Sequence, residues 1–243
     1  MNPTIELLKN HRSVRNFLDK PIAKEMEEAI LQSARFASTS SYLQAFTIII
    51  VRDLNKRKVL REVTRDQEYV EKNGLFLVFC ADFHKHIELA QRYDRQLEQS
   101  LLHAEAYTVG VVDAALAAQN VAIAAESLGL GICYIGGLRN DLHKVSECLN
   151  IPSHVVPLFG MSIGHPAKET DKKPRLPASV LFHEDTYQDE RIAQIDEYDE
   201  IVSDYYQERT KGKRSDSWSD QATQTLAAPK RTYLLNYLQN QGF

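Results

Sequence analysis

The stretch 107–128 constrains this chain most, because it is rich in alanine and apolar on almost every side. A helix without a polar face belongs in the middle of a domain or in an interface between two copies of the chain. A bilayer is the other home for such a helix, and its charges argue against that. Asp113 and Glu126 interrupt the run, leaving 12 uncharged residues at 114–125, whereas a span needs roughly 20. The opening residues, MNPTIELLKN, lack a basic segment followed by an apolar one and do not read as a signal peptide. A cytoplasmic protein with no membrane contact is the expectation.

The remaining segments supply layers for that helix to pack against. Helical spacing is expected at 3–10 and 23–36, followed by a hydroxyl-rich loop, STSSYLQ, at 38–44. FTIIIV at 46–51 is a β-branched run of strand length. LFLVFCA at 75–81 is apolar on both faces and predicts a central strand covered on two sides. A short strand around 132–135, an amphipathic helix ending at Asn150 and a strand at 154–164 complete the pattern, with Pro157 marking a bulge or an edge. The class is α+β in layers. After residue 178 two charged helices are expected, near 190–209 and 217–240. This tail is read as too polar to make its own core, so it is expected to wrap a second subunit.

The chain carries 33 carboxylates against 29 lysines and arginines, a net charge of −4, which weighs against nucleic acid as a partner. Positive charge nevertheless gathers twice, in HRSVR at 11–15 and in KKPRLP at 172–177. Local sites for a small anion are the simplest explanation. Cys80, Cys133 and Cys148 form no CxxC pair and read as buried thiols. His84, His86 and His103 lie in a polar segment without ligand spacing, so no metal is expected.

His11, Arg12, Ser13 and Arg15 suit a phosphate or carboxylate, since guanidinium donates in a planar fork and serine adds a short donor. The same residues would equally serve as a solvated cap on the first helix. Lys173 and Arg175 flank Pro174, which fixes the backbone between two cations; an exposed turn with incidental charge is the plainer reading. Tyr134, Ile135, Gly136 and Gly137 place two glycines just after a strand, where backbone can approach a ligand or simply turn. Ser38, Thr39, Ser40 and Ser41 offer hydroxyls to a heteroaromatic edge or cap a helix. Neither a Walker loop nor GxGxxG is present, no Ser–His–Asp order stands out and no paired carboxylates occupy an apolar pocket. What is left binds a flat cofactor with a phosphate tail, and flavin mononucleotide (FMN) fits that description.

HRSVRNFLDKPI, SSYLQAFTIIIV, GVVDAALAAQNVAIAAESLGLGICYIGGLRN, VPLFGMSIGHPA and KPRLPASVLFHEDTY, taken in order, resemble the flavin-dependent nitroreductase family. The likeness is to its branch of NADPH-dependent oxygen-insensitive nitroreductases and NADPH–FMN oxidoreductases, and it runs through nearly the whole chain. The resemblance implies one FMN-binding domain over 1–243, with a mixed, mainly antiparallel sheet flanked by helices. It further implies an intertwined homodimer whose extension, 178–243, wraps the partner. On this likeness His11, Arg12 and Ser13 bind the flavin phosphate together with Lys173 and Arg175. Arg15 lies at the flavin N1 and O2 edge, where a cation stabilises the charge gained on reduction. Ser38, Thr39, Ser40 and Ser41 reach the flavin from the other subunit, Thr39 standing where serine is common. Gln67 touches the pyrimidine ring, and Tyr134, Ile135, Gly136 and Gly137 approach N5 and O4. The charged segment 84–106 has no match in the family pattern and is expected to shape the substrate opening.

Arg209, Lys211, Lys213 and Arg214 form a third cationic group, in a stretch that contains glycine and reads as mobile. By composition it is a solvated linker between helices; the resemblance makes it the site for the NADPH 2′-phosphate. The implied activity is a ping-pong two-electron reduction of nitroaromatics, quinones or free flavin by NADPH. Two rivals remain: a reductase with a different natural acceptor, such as a disulfide or metal oxyanion, and a non-enzymatic dimer that stores or senses flavin.

Overall fold

A computed structural model describes residues 2–243. Helix α1 (Pro3–Lys9) starts where the Asn2 side chain accepts the Ile5 N–H at 3.1 Å, with Pro3 in the first turn where its missing donor costs nothing. Helix α2 (Lys24–Ala34) leads to strand β1 (Phe46–Ile50). Helix α3 (Leu54–Val63) is capped by Asp53, which accepts from Asn55 N at 2.7 Å. Strand β2 (Leu75–Asp82) precedes two short helices, α4 (His84–Ala90) and α5 (Glu98–Leu101). The long helix α6 (Ala104–Ser127), strand β3 (Gly131–Ile135), helix α7 (Leu142–Leu149) and strand β4 (Val155–Gly164) follow. Asn150, left-handed at φ 54°, closes α7 where the sequence placed its end.

The four strands pair antiparallel in the order β1-β2-β4-β3. All eight residues of β2 are buried, and the two faces of the strand feed different layers. Leu75, Leu77 and Phe79 pack with Ile30 of α2 and Ala117, Ala118 and Val121 of α6. Phe76, Val78 and Cys80 pack with Leu60 and Val63 of α3 and Val145 of α7. Each of the leucine, isoleucine, valine and phenylalanine side chains among them contributes about 1.5–3 kcal/mol by leaving water, so the two-sided burial read from 75–81 is the main apolar contribution of the sheet. Pro157 stands in β4, an interior strand, beside a register shift: Phe79 faces Phe159 while Cys80 faces Pro157. The bulge expected from this proline is present and the edge position is not, because the irregularity absorbs its missing N–H.

Residues 171–230 form a compact unit of their own, while 231–243 pack with 2–170. The tail expected as one piece over 178–243 is thus divided. In the smaller unit helix α8 (Ala178–Leu181) is followed by α9 (Ile195–Thr210) and α10 (Trp218–Ala227). Tyr198, Val202 and Tyr206, one turn apart along α9, make a small core with Leu176, Tyr205 and Trp218. The segment read as too polar for a core therefore has one. The helix expected over 217–240 breaks because Ala228, ahead of Pro229, is extended (φ −92°, ψ 117°). Helix α11 (Leu234–Asn240) resumes in the larger unit, where Tyr237 and Phe243 are buried beside Phe83.

Candidate functional site

The first cationic segment lies along the free side of β3. Ser13 forms a parallel bridge with Ile132, and Val14 N donates to Ile132 O at 2.8 Å. The paired strands themselves are all antiparallel, so the mixed character expected of the sheet reduces to this isolated bridge. Gly131 permits the approach, since a Cβ there would come within 2.5 Å of Val14 Cγ2. The backbone register runs Arg15 toward the end of β3, beside the turn made by residues 136–140. There Arg15 bears electrostatically on both Tyr69 and Cys133. Burial pushes the Tyr69 hydroxyl and the Cys133 thiol upward in pKa, and Arg15 works against both shifts.

Gln67 lies between α3 and Tyr69. It follows Arg65 and Asp66, which are both left-handed at φ 59° and 56°, a costly pair of conformations for residues with a Cβ. Gly137 packs on this turn, where an added Cβ would lie 3.1 Å from Thr64 Cβ. Asn140 Nδ2 fastens it by donating to Val63 O at 3.0 Å. Gly137 thus has a packing reason for lacking a side chain, and Gly136 a looser one, an added Cβ lying 3.2 Å from Arg139 Nη2. Tyr134 meets Phe159 edge to face at 5.6 Å and donates to Gln119 Oε1 at 3.3 Å. Burial pushes its hydroxyl pKa up to about 12.

His11 and Arg12 point elsewhere. His11 Nδ1 donates to Glu126 Oε1 at 2.6 Å, and Arg12 Nη1 donates to Thr170 O at 3.2 Å. Arg12 lines a cleft of about 360 Å³ together with Asn10, Glu126, Lys168 and Thr170, and the Thr170 hydroxyl is buried without a partner among the described residues. Glu126, a mere interruption of an apolar run in the sequence, is the residue that orients His11.

The hydroxyl loop is anchored by the other interruption. Asp113, fully buried in α6, accepts the N–H of Ser40 at 2.8 Å and of Ala45 at 2.9 Å. Between those anchors Ser41, Tyr42 and Gln44 all have positive φ. From the far side α4 braces the loop: Lys85 Nζ donates to Phe46 O at 2.8 Å, and His86 Nε2 lies 2.8 Å from Leu43 O. The charged segment after 84 thus buttresses the hydroxyl loop, a role its sequence did not show. Ser40 is tied to α6, and Leu43 farther along the loop to α4, whereas Arg15 and Tyr134–Gly137 lie toward the end of β3.

In the smaller unit Lys173 Nζ donates to the Tyr206 hydroxyl at 3.0 Å, and the Tyr198 hydroxyl donates to Pro174 O at 3.1 Å. The segment holding Lys173 and Arg175 is therefore seated on α9 by its backbone and not stiffened by proline alone. Burial would raise the Tyr206 pKa, yet the Lys173 hydrogen bond and the charges of Lys173, Arg214 and Arg209 carry it below the ordinary value. The stretch 209–214 is not an open linker. Lys211, left-handed at φ 54°, closes the end of α9, and Gly212 N donates back to Gln207 O at 2.8 Å.

Residues 8–165 match the nitroreductase family and residues 173–243 match the nitroreductase family C-terminal domain. The chain belongs to the nitroreductase family. Its relatives include an FMN reductase (NADPH) of Bacillus subtilis, 50% identical over 246 residues, covering 100% of this chain and 99% of the relative. An oxygen-insensitive NADPH nitroreductase of Salmonella typhimurium is 44% identical over 245 residues, with 100% and 99% covered. Among solved structures, B. megaterium NfrA1 superposes with a TM-score of 0.97 at 49% identity, covering 100% of this chain and 99% of that one. The α+β nitroreductase fold is thereby established. The residues of this nitroreductase fit FMN by their donor chemistry. Ser13 beside β3 and the neighbouring Arg12, which here donates to Thr170 O, are donors of the kind a phosphate takes, while Arg15, Gly136 and Gly137 toward the end of β3 offer a cation and bare backbone.

Proposed function

We propose that this nitroreductase is an FMN-dependent NADPH oxidoreductase that reduces nitroaromatics, quinones or free flavin by two electrons in a ping-pong cycle. The observation that carries the reading is the corner at the end of β3, where Arg15, the turn after Gln67 and the Tyr134–Gly137 backbone converge. Bound there, FMN would supply the redox chemistry that links NADPH to the acceptor. Arg15 provides positive charge at the ring edge where negative charge develops. His11, Arg12, Ser13, Lys173 and Arg175 bind the phosphate, and Arg209, Lys211, Lys213 and Arg214 recognise the 2′-phosphate that distinguishes NADPH from NADH.

The working form is a cytoplasmic homodimer. Val112 and Leu116 of the otherwise apolar α6 are 44% and 43% exposed, and Phe36, Tyr42 and Leu43 add further uncovered apolar surface near the hydroxyl loop. A second subunit covering this surface, with residues of 171–230 wrapped around it, gives those side chains an apolar environment. The names of the two curated relatives support the donor and the class of acceptor. Initial-rate kinetics with a nitroaromatic, a quinone and FMN test the cycle: parallel double-reciprocal lines are expected. Intersecting lines for every acceptor, or no turnover of any, would remove the proposal.

A further inference from the structure

Tyr206 holds cations on two of its faces. Lys173 reaches its hydroxyl at 3.0 Å, and the Arg214 guanidinium lies over the ring 4.3 Å from its centroid. The neighbouring ring repeats half of this arrangement, Arg209 Nη1 donating to the Tyr205 hydroxyl at 2.7 Å, and the two rings meet edge to face at 5.3 Å. Thr210 ties the returning chain to the helix: its hydroxyl donates to Tyr206 O at 2.6 Å and accepts from Arg214 N at 2.9 Å. Tyr206 is 7% exposed and packs with Tyr198 and Val202, whereas Lys173 and Arg214 are exposed. The ring is the buried member of this cluster: its hydroxyl holds Lys173, and its face lies under Arg214, whose guanidinium also donates to Asp216 Oδ2 at 2.7 Å and Gln221 Oε1 at 3.3 Å.

We propose that Tyr206 is a positioning residue for two phosphate groups at once, its hydroxyl orienting Lys173 toward the flavin phosphate and its ring face orienting Arg214 toward the NADPH 2′-phosphate. The inference rests on the functional reading above and adds to it a shared support for the donor and cofactor sites. Tyrosine suits the task because it alone offers an oxygen to an ammonium and a π face to a guanidinium from one rigid side chain. Phenylalanine retains only the face, and leucine retains neither. The two roles are therefore separable by substitution.

Two measurements on the full chain read the roles independently: the Kd of the apo-protein for FMN, from quenching of flavin fluorescence, and the KM for NADPH. Tyr206→Phe is expected to raise the FMN Kd about three- to tenfold, the loss of one hydrogen bond to an exposed cation. Its KM for NADPH stays within about twofold, because the stacked guanidinium remains. Tyr206→Leu raises both constants. In a Lys173→Met background Tyr206→Phe adds nothing further to the FMN Kd, since the hydroxyl acts only through the ammonium. This absence of additivity is a result that a purely structural role would not give. An unchanged FMN Kd in Tyr206→Phe, or full additivity with Lys173→Met, overturns the first role. A KM raised by phenylalanine as much as by leucine overturns the second. Should Tyr206→Leu fail to fold, Tyr206→Phe and the cycle still decide the first role, and Arg214→Gln decides the second. In that variant the KM must rise with the FMN Kd unchanged, and an unchanged KM overturns the ring-face role. Wild-type protein that binds no FMN or oxidises no NADPH would instead sink the functional reading itself.

Discussion

Asp113→Asn isolates the anchor of the hydroxyl loop. The wild-type carboxylate, wholly buried, accepts two backbone N–H groups, from Ser40 at 2.8 Å and from Ala45 at 2.9 Å. Asparagine keeps the shape and one accepting oxygen, but turns an NH2 group toward the other N–H. One charge-assisted hydrogen bond is lost and two buried donors, the backbone N–H and the new NH2, are set facing each other, at a cost of about 1.5–3 kcal/mol. Removing a buried charge returns part of that by easing desolvation, which keeps the total near the lower end. Alanine strands both donors and should cost more, about 3–5 kcal/mol with the small cavity included. The positive φ angles at Ser41, Tyr42 and Gln44 make the loop dependent on this anchor, since their strain persists only while the ends are held. The assay is equilibrium urea unfolding at one fixed protein concentration, with flavin content measured on the same samples. Asparagine should lower stability, alanine should lower it further, and FMN retention should fall in the same order. Equal stability of Asp113→Asn and wild type would refute the reasoning. Reversal of the order would refute it too.

Lys173→Ala and Arg175→Ala should each weaken FMN retention by about 1.5–3 kcal/mol before compensation, read as flavin lost on dialysis; a double mutant with full flavin content would contradict the phosphate assignment. Tyr134 predicts a specific alkaline behaviour. Its hydroxyl is raised from 10 to about 12 in the folded chain, so the protonated form is favoured by folding, and that stability is complete below pH 10 and lost as pH rises toward 12. The part-exposed ring tempers the size of the effect, but Tyr134→Phe should flatten the stability profile across that window, and an unchanged slope would contradict it. Arg209→Ala should raise KM for NADPH with less effect on kcat at saturating donor; equal kcat/KM for NADH and NADPH in the wild type would show that the 209–214 turn does not read the 2′-phosphate.

Much of the layering was legible because apolar runs carry it. The two-sided burial of β2, the core position of α6 and the left-handed stop at Asn150 follow from local composition. Helix α3 was not legible, since LNKRKVLREV is mostly charged and one of those charges, Arg57, is 6% exposed and donates to Val51 O at 2.7 Å. The small core of the 171–230 unit was legible in principle from the one-turn spacing of Tyr198, Val202 and Tyr206, but the charges around it dominate the composition. Pro229 carried the signal for the break in the last helix. At the site, the residue types at 11–15 and 134–137 pointed to the ligand chemistry. Their supports did not announce themselves: Asp113 and Glu126 read as flaws in an apolar helix, and only tertiary structure pairs them with Ser40 and His11.

The central claim is that this chain holds FMN and lets NADPH reduce it. The most direct measurement is the visible spectrum of the purified protein under anaerobic titration with NADPH, followed by addition of a nitroaromatic. The account predicts a yellow protein that releases FMN on denaturation, bleaches with stoichiometric NADPH and regains its colour with the acceptor. A protein that takes up no flavin when offered it, or whose bound flavin keeps its absorbance in excess NADPH, would contradict the account.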